Sequence, residues 1–95
     1  MSQYDVAHIR VQGQDMIIVP LSSSFGRKSA GEQQRIVGHL QAAAVQAGLK
    51  GTVVAVWDAG RGRMGFHAPR LWHSFLRTKG LAWVAANINR KLLIR

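Results

Sequence analysis

Hydrophobic and polar residues alternate along residues 4–11, the first element that the pattern predicts. Ala7 and Ile9 share one face of an extended segment, and polar residues interrupt the other face. A period of two predicts a β-strand. Residues 12–15 then form a predicted turn, and the nearly continuous apolar run over 16–21 predicts a central strand that is buried on both faces.

A helix is predicted over residues 30–47. Ser29 and Glu32 match the capping box S-x-x-E. In this motif the Ser29 hydroxyl accepts from the backbone N–H of Glu32, and the Glu32 carboxylate accepts from the backbone N–H of Ser29. Gly48 suits the left-handed residue that closes a helix. The apolar stripe of this helix comprises Ile36, Val37, Leu40, Ala44 and Ala47.

The second half of the chain repeats the plan of two strands followed by helices. Strands are predicted over 52–57 and 63–67, separated by a turn at 58–62. Pro69 suits the first position of a helix, and Gly80 is expected to break or bend that helix. The first helical stripe comprises Leu71, Trp72, Phe75 and Leu76, and the second comprises Leu81, Val84, Ala85, Ile88 and Leu92.

These elements predict a single α+β domain over residues 1–95, in the order β-β-α-β-β-α(-α). We expect a mainly antiparallel four-stranded sheet with its helices on one face. The other face, with Tyr4, His8 and Arg10, is expected to meet water. The predicted core comprises Ile9, Val11, Ile17, Val19, Ile36, Leu40, Val54, Val56, Leu71, Phe75, Val84 and Ile88.

Charge is distributed unevenly along the chain. The net charge is +9, of which residues 1–58 contribute +1 and residues 59–95 contribute +8, with no acidic residue in the second segment. Such a segment attracts polyanions. The predicted nucleic-acid-binding residues are Arg61, Arg63, Arg70, Arg77, Lys79, Arg90 and Lys91.

Two loops carry cations in positions suited to phosphate. Arg27, Lys28 and Ser29 precede the predicted helix, where free N–H groups favour an anion, and they form a candidate anion-binding site. This loop lacks the glycine and lysine pattern of a P-loop. Arg61 and Arg63 alternate with glycines at a hairpin tip, where guanidinium groups suit bidentate phosphate contact.

Other chemistry finds little support in the sequence. The absence of cysteine excludes disulfides and thiolate metal sites and fits a reducing cytoplasm. The four histidines and four carboxylates show no metal-ligand or catalytic spacing, so we expect no metal, cofactor or catalytic residues. No apolar run reaches the roughly 20 residues that span a bilayer, and membrane insertion is not expected.

The sequence therefore favours a small basic accessory protein that binds DNA or RNA without base specificity. The alternative is a protein-interaction module, either a homodimer or a dock for an acidic protein, that uses an open sheet face or Trp83. A small ribonuclease-like enzyme, with His67 as general base near Arg61 or Arg63, is the third hypothesis.

Overall fold

A computed structural model describes residues 2–94 of the chain. These residues form an α+β domain with one sheet. Two 3₁₀ turns, Ser23–Arg27 and Arg70–Trp72, accompany the regular elements. The strands and helices are β1 (Ser2–Val11), β2 (Gln14–Pro20), α1 (Ala30–Gln46), β3 (Thr52–Asp58), β4 (Met64–His67), α2 (His73–Arg77), α3 (Leu81–Ala86) and β5 (Arg90–Ile94).

The sheet has five strands in the order β4-β3-β2-β1-β5. Neighbouring strands are antiparallel except β2 and β3, which run parallel with Ile18 opposite Val54. Parallel neighbours need a crossover, and α1 supplies it. The predicted number of four strands is thus wrong, because β5 adds a fifth strand. The prediction of a mainly antiparallel sheet holds for three of the four neighbouring pairs, and the parallel pair β2–β3 is the exception.

Helices cover both faces of the sheet, so the prediction of one open face is also wrong. Helix α1 buries Leu40 and Ala44 against one face, and α2 and α3 bury Leu76 and Val84 against the other. The cause lies in the continuous apolar runs of β2 and β3, whose residues 16–19 and 53–56 are all buried. Strands that are apolar on both sides require cover on both sides.

The predicted open face is the one that α1 covers. Tyr4 is half-buried and packs against the α1 side of the core. The Nε2 atom of His8, also half-buried, lies 2.8 Å from the carbonyl oxygen of Lys50. Arg10 is exposed beyond the end of that cover.

The C-terminal segment differs most from its prediction. Helix α3 ends at Ala86, and the chain then extends as β5 instead of continuing the helical stripe to Leu92. Leu92 is fully buried, but on the α1 side of the sheet. The Oδ1 atom of Asn89 accepts from the N–H of His8 at 2.8 Å, and its Nδ2 donates to the carbonyl of His8 at 2.9 Å. Asn89 thereby fastens the start of β5 to β1.

Helix α1 begins as predicted at the cap residue Ser29. Its hydroxyl accepts from the N–H of Glu32 at 3.2 Å. The Glu32 carboxylate does not complete the capping box, because it lies 3.9 Å from Nζ of Lys28 and 3.7 Å from a guanidinium nitrogen of Arg35. Gly48 follows the helix with φ +79°, as predicted.

The predicted core is right for its central members and wrong for Leu71. Leu40 is 1% exposed, which confirms the phase assigned to α1. Leu71 is 74% exposed, because the chain around it is a 3₁₀ turn that directs Trp72 inwards. Ile9, Val11, Ile36, Phe75 and Ile88 are only partly buried. Val6 and Ala7 are fully buried although the predicted core did not include them.

Candidate anion-binding cleft

A cleft of about 430 Å³ opens at the carboxyl ends of the parallel strands β2 and β3. The loop after β2 and the hairpin between β3 and β4 form its walls. The N–H of Leu21 donates to the carbonyl of Val56 at 2.8 Å, so the first loop leaves the sheet beside the end of β3. Open sheets with parallel strands commonly bind ligands at this edge. The lining residues are Ser23, Gly26, Arg27, Trp57, Asp58, Ala59 and Gly60.

The β3–β4 hairpin owes its shape to three consecutive residues with positive φ. Gly60, Arg61 and Gly62 have φ of +100°, +54° and +75°. Hydrogen bonds close the turn, since the N–H of Arg63 donates to the carbonyl of Gly60 at 3.0 Å. Arg61 and Arg63 are both exposed at this tip. Glycine on either side of Arg61 accommodates a backbone conformation that other residues adopt less readily.

Asp58 is the acidic residue in the cleft wall. Its Oδ1 accepts from the N–H of Gly60 at 2.8 Å, which is the hydrogen bond of a turn that begins with aspartate. The carboxylate therefore shapes the hairpin, although its negative charge remains in the wall. Any anion in the cleft has to be held by cations that outweigh this charge.

Trp57 joins the two walls of the cleft. A β-carbon added to Gly26 would lie 2.3 Å from its Nε1 atom, and one added to Gly65 would lie 2.4 Å from its Cε2 atom. Both backbones therefore approach the indole more closely than any side chain would allow. Phe25, which is buried, tilts against the same ring with centroids 5.1 Å apart. The indole is a packing element that holds the 3₁₀ turn against the hairpin.

The three residues of the predicted loop site separate in the structure. Arg27 lines the cleft together with Gly60 of the hairpin. Lys28 lies beside Glu32 and lines a different cavity, and the hydroxyl of Ser29 is engaged in the helix cap. The first turn of α1 thus already carries its own carboxylate, and Arg27 is the member of the trio that shares a cleft with the hairpin.

The predicted basic residues divide into three groups. Arg61 and Arg63 lie at the tip of the hairpin whose residues Ala59 and Gly60 line the cleft. Another group, Arg70, Arg77 and Lys79, belongs to α2 and its flanking turns. Arg90 and Lys91 lie on the edge strand β5, where Lys91 pairs with Asp5. Arg95 lies outside the described residues.

Trp83 and His73 both have partners within the protein. Trp83 is half-buried and meets Phe75 edge to face with centroids 5.7 Å apart, and Nζ of Lys79 lies 5.3 Å from each ring centroid. The Nε2 atom of His73 lies 2.9 Å from the carbonyl oxygen of Ala68. Within residues 2–94, no three potential metal-ligating side chains come together.

Sequence reasoning missed Ser23, Trp57 and Asp58 as parts of one site. The signal that would have found them is position: Trp57 and Asp58 end strand β3, and Ser23 lies in the loop that follows β2. This position becomes informative once β2 and β3 are recognised as parallel neighbours.

Over the part of the chain that the structure describes, no helix combines the length and the apolar character needed to cross a bilayer. Comparison of the chain with protein-family models, with curated proteins and with solved structures finds no match in any of the three.

Proposed function

We propose that this protein binds nucleic acid through its phosphate backbone, without reading base sequence, at the cleft between the loop after β2 and the β3–β4 hairpin. One observation carries the proposal: Arg27 on one wall and the hairpin that bears Arg61 and Arg63 on the other meet at a single cleft. Arg27 thus lines a cleft whose other wall, Ala59 and Gly60, continues directly into the exposed Arg61 and Arg63.

The ion pairing of the described residues supports an external anion as the partner of these arginines. In the described part of the chain, Arg27, Arg61 and Arg63 make no ion pair, whereas Lys28 and Lys91 each lie beside a carboxylate. Guanidinium groups suit phosphate oxygens because they present several donors in a fixed plane. Three such groups outweigh the single charge of Asp58.

The net charge of +9 favours a polyanion over a single small anion. Neutralising several phosphates releases counterions, and this release provides affinity that needs no base contact. The indole of Trp57 is occupied by Gly26 and Gly65, so the proposal assigns it no stacking role. A cytoplasmic location, in contact with RNA or DNA, is part of the proposal.

The test is fluorescence anisotropy of labelled single-stranded and duplex oligonucleotides at about 50 mM salt, where electrostatic binding is strong. We expect binding to both, with the logarithm of affinity falling linearly with the logarithm of salt concentration. Arg61→Ala combined with Arg63→Ala should make that slope about two units shallower, one for each lost phosphate contact. Arg27→Ala should remove about one further unit.

The matched control combines Arg10→Ala with Arg35→Ala. It removes the same two positive charges from exposed positions that lie beside Asp15 and Glu32. This control should bind almost as well as the wild type. No binding to either nucleic acid, or equal losses in the control and the hairpin variant, would overturn the proposal. If the molecular mass in solution rises with protein concentration while nucleic acid causes no change in anisotropy, the result would favour the protein-interaction module instead.

A further inference from the structure

A second basic surface lies on α2 and the 3₁₀ turn before it. Arg70, Ser74 and Arg77 recur at i, i+4 and i+7 and are all exposed. On the opposite side of the same segment, Trp72 and Leu76 are buried against the sheet. The three exposed residues, which we call the α2 stripe, therefore face away from the core.

The α2 stripe carries charge that the described protein does not neutralise. No acidic residue occurs anywhere in residues 59–95. Neither Arg70 nor Arg77 forms an ion pair within residues 2–94, in contrast to Arg10 and Arg35. The seven residue steps from Arg70 to Arg77 span about 10 Å of helix-like chain, the distance occupied by about three phosphates at 3.4 Å per strand step. The hydroxyl of Ser74 adds a neutral donor between the two guanidinium groups.

The α2 stripe and the cleft belong to opposite sides of the sheet. Trp57 shares a strand face with Val53, which packs beneath α1. Trp72 and Leu76, which anchor the α2 stripe, pack on the other face with Val54 and Val56. Because the two surfaces face opposite sides of a molecule that measures 34 × 30 × 23 Å, we expect that a short straight duplex in the cleft would not also lie along the α2 stripe.

We infer that the α2 stripe is a second nucleic-acid contact, and that one protein molecule bridges two nucleic-acid segments, one at the cleft and one at the α2 stripe. This inference rests on the proposed function of the cleft. It goes further because two contacts on opposite faces join separate segments, whereas one continuous footprint would only coat a single segment.

The experiment measures binding and bridging side by side. A biotinylated duplex of about 20 base pairs, the length of a short protein site, is immobilised on beads, and a second, fluorescent duplex is offered with the protein at about 50 mM salt. Retained fluorescence reports bridging, and anisotropy with the fluorescent duplex alone reports binding. The variants are Arg70→Ala with Arg77→Ala, Arg70→Lys with Arg77→Lys, and the control Arg10→Ala with Arg35→Ala.

We expect the wild type to retain the second duplex on the beads. A large excess of protein should abolish this retention, because each duplex is then covered by separate protein molecules. The alanine variant of the α2 stripe should lose at least tenfold in retained fluorescence while it still binds one duplex. The lysine variant should retain most of the bridging because the charges remain. Circular dichroism checks that the alanine variant, altered only at exposed positions, keeps its fold.

Four results would overturn the inference. Bridging by the alanine variant at the wild-type level would show that the α2 stripe is not a contact. An equal loss in the Arg10 and Arg35 control would show that only net charge matters. Wild-type binding without bridging would leave the proposed function intact but remove the second contact. Absence of both binding and bridging in the wild type would remove the proposed function as well.

Discussion

The packing of Trp57 between two glycines leads to a sharp prediction for Gly65→Ala. Gly65 lies opposite Trp57 in the β3–β4 register. The added methyl carbon would lie 2.4 Å from Cε2 and 2.5 Å from Nε1 of the indole. To reach an ordinary contact of about 3.5–4.0 Å, the ring has to move by more than 1 Å. The backbone of Gly26 limits movement away from the hairpin, because it already approaches the same ring closely.

The magnitude follows from two opposing terms. Overpacking of a well-packed site costs about 1–3 kcal/mol. Replacing glycine within a strand recovers about 0.5–1 kcal/mol, because the unfolded chain loses conformational freedom. The midpoints of the two terms give a net destabilisation of about 1.2 kcal/mol. In a domain of this size, that corresponds to a fall in Tm of roughly 5–10 °C.

The assay is denaturant unfolding followed by far-UV circular dichroism, with tryptophan emission recorded in parallel. Gly38→Ala is the matched control, since a β-carbon at this exposed position in α1 would meet nothing within 4 Å. That control should be stabilised by about 0.5–1 kcal/mol through helix propensity. Gly65→Ala should also shift the emission to longer wavelength if the indole is displaced towards water. A Gly65→Ala protein as stable as the wild type, alongside a stabilised control, would refute the proposed wedging of the ring.

Three further changes test the fold. Leu40→Ala should cost about 2–5 kcal/mol in denaturant unfolding, because it empties a fully buried site beneath α1; a cost below 1 kcal/mol would contradict that packing. Ser29→Ala should cost about 1 kcal/mol by the same measurement, since the N–H of Glu32 loses its cap; unchanged stability would show that the cap contributes nothing. Asn89→Ala should accelerate amide exchange at His8, whose N–H donates to the Asn89 side chain, and unaltered exchange would count against that bond.

The two central strands show where sequence reasoning succeeded and where it stopped. The apolar run over 16–21 predicted a strand buried on both faces, and residues 16–19 are all buried. The similar run over 52–57 predicted a strand, and its residues 53–56 are buried as well. The same observation should have excluded an open face, since a strand with two apolar sides needs two layers of cover. A helix between two such strands also favours a parallel crossover. The local patterns predicted these strands and the helix between them. The relative direction of the two strands follows only when these two observations are combined.

The last strand was missed for a different reason. Leu92 falls at helical spacing from Val84 and Ile88, so periodicity alone extends the helix. Helix α3 instead ends at Ala86, and the following segment pairs with β1. Asn87 and Asn89 are poor helix residues and were the available signal for a break. The pairing with β1 depends on distant residues, which no local window contains.

The candidate site was predictable only in part. The arginines were identified from charge and from their loop positions; Arg27 lines the cleft, and Arg61 and Arg63 follow Gly60, the hairpin residue that also lines it. The grouping of Arg27 with Lys28 rested on sequence proximity; in the structure Arg27 lines the cleft, whereas Lys28 lies beside Glu32. Side-chain direction at a loop–helix junction depends on which carboxylates the helix presents, and charge counting does not include it.

The position of β5 has a consequence for the order of folding. The β1–β2 hairpin needs only a two-residue turn and forms on the microsecond scale. The bonds of Asn89 to His8 close a separation of 81 residues, which is slow because a long loop must be ordered first. During that interval β1 presents unpaired N–H and carbonyl groups along one side, as an aggregation-prone edge does. The yield of refolded protein should therefore fall as protein concentration rises, even under conditions in which the native state is stable.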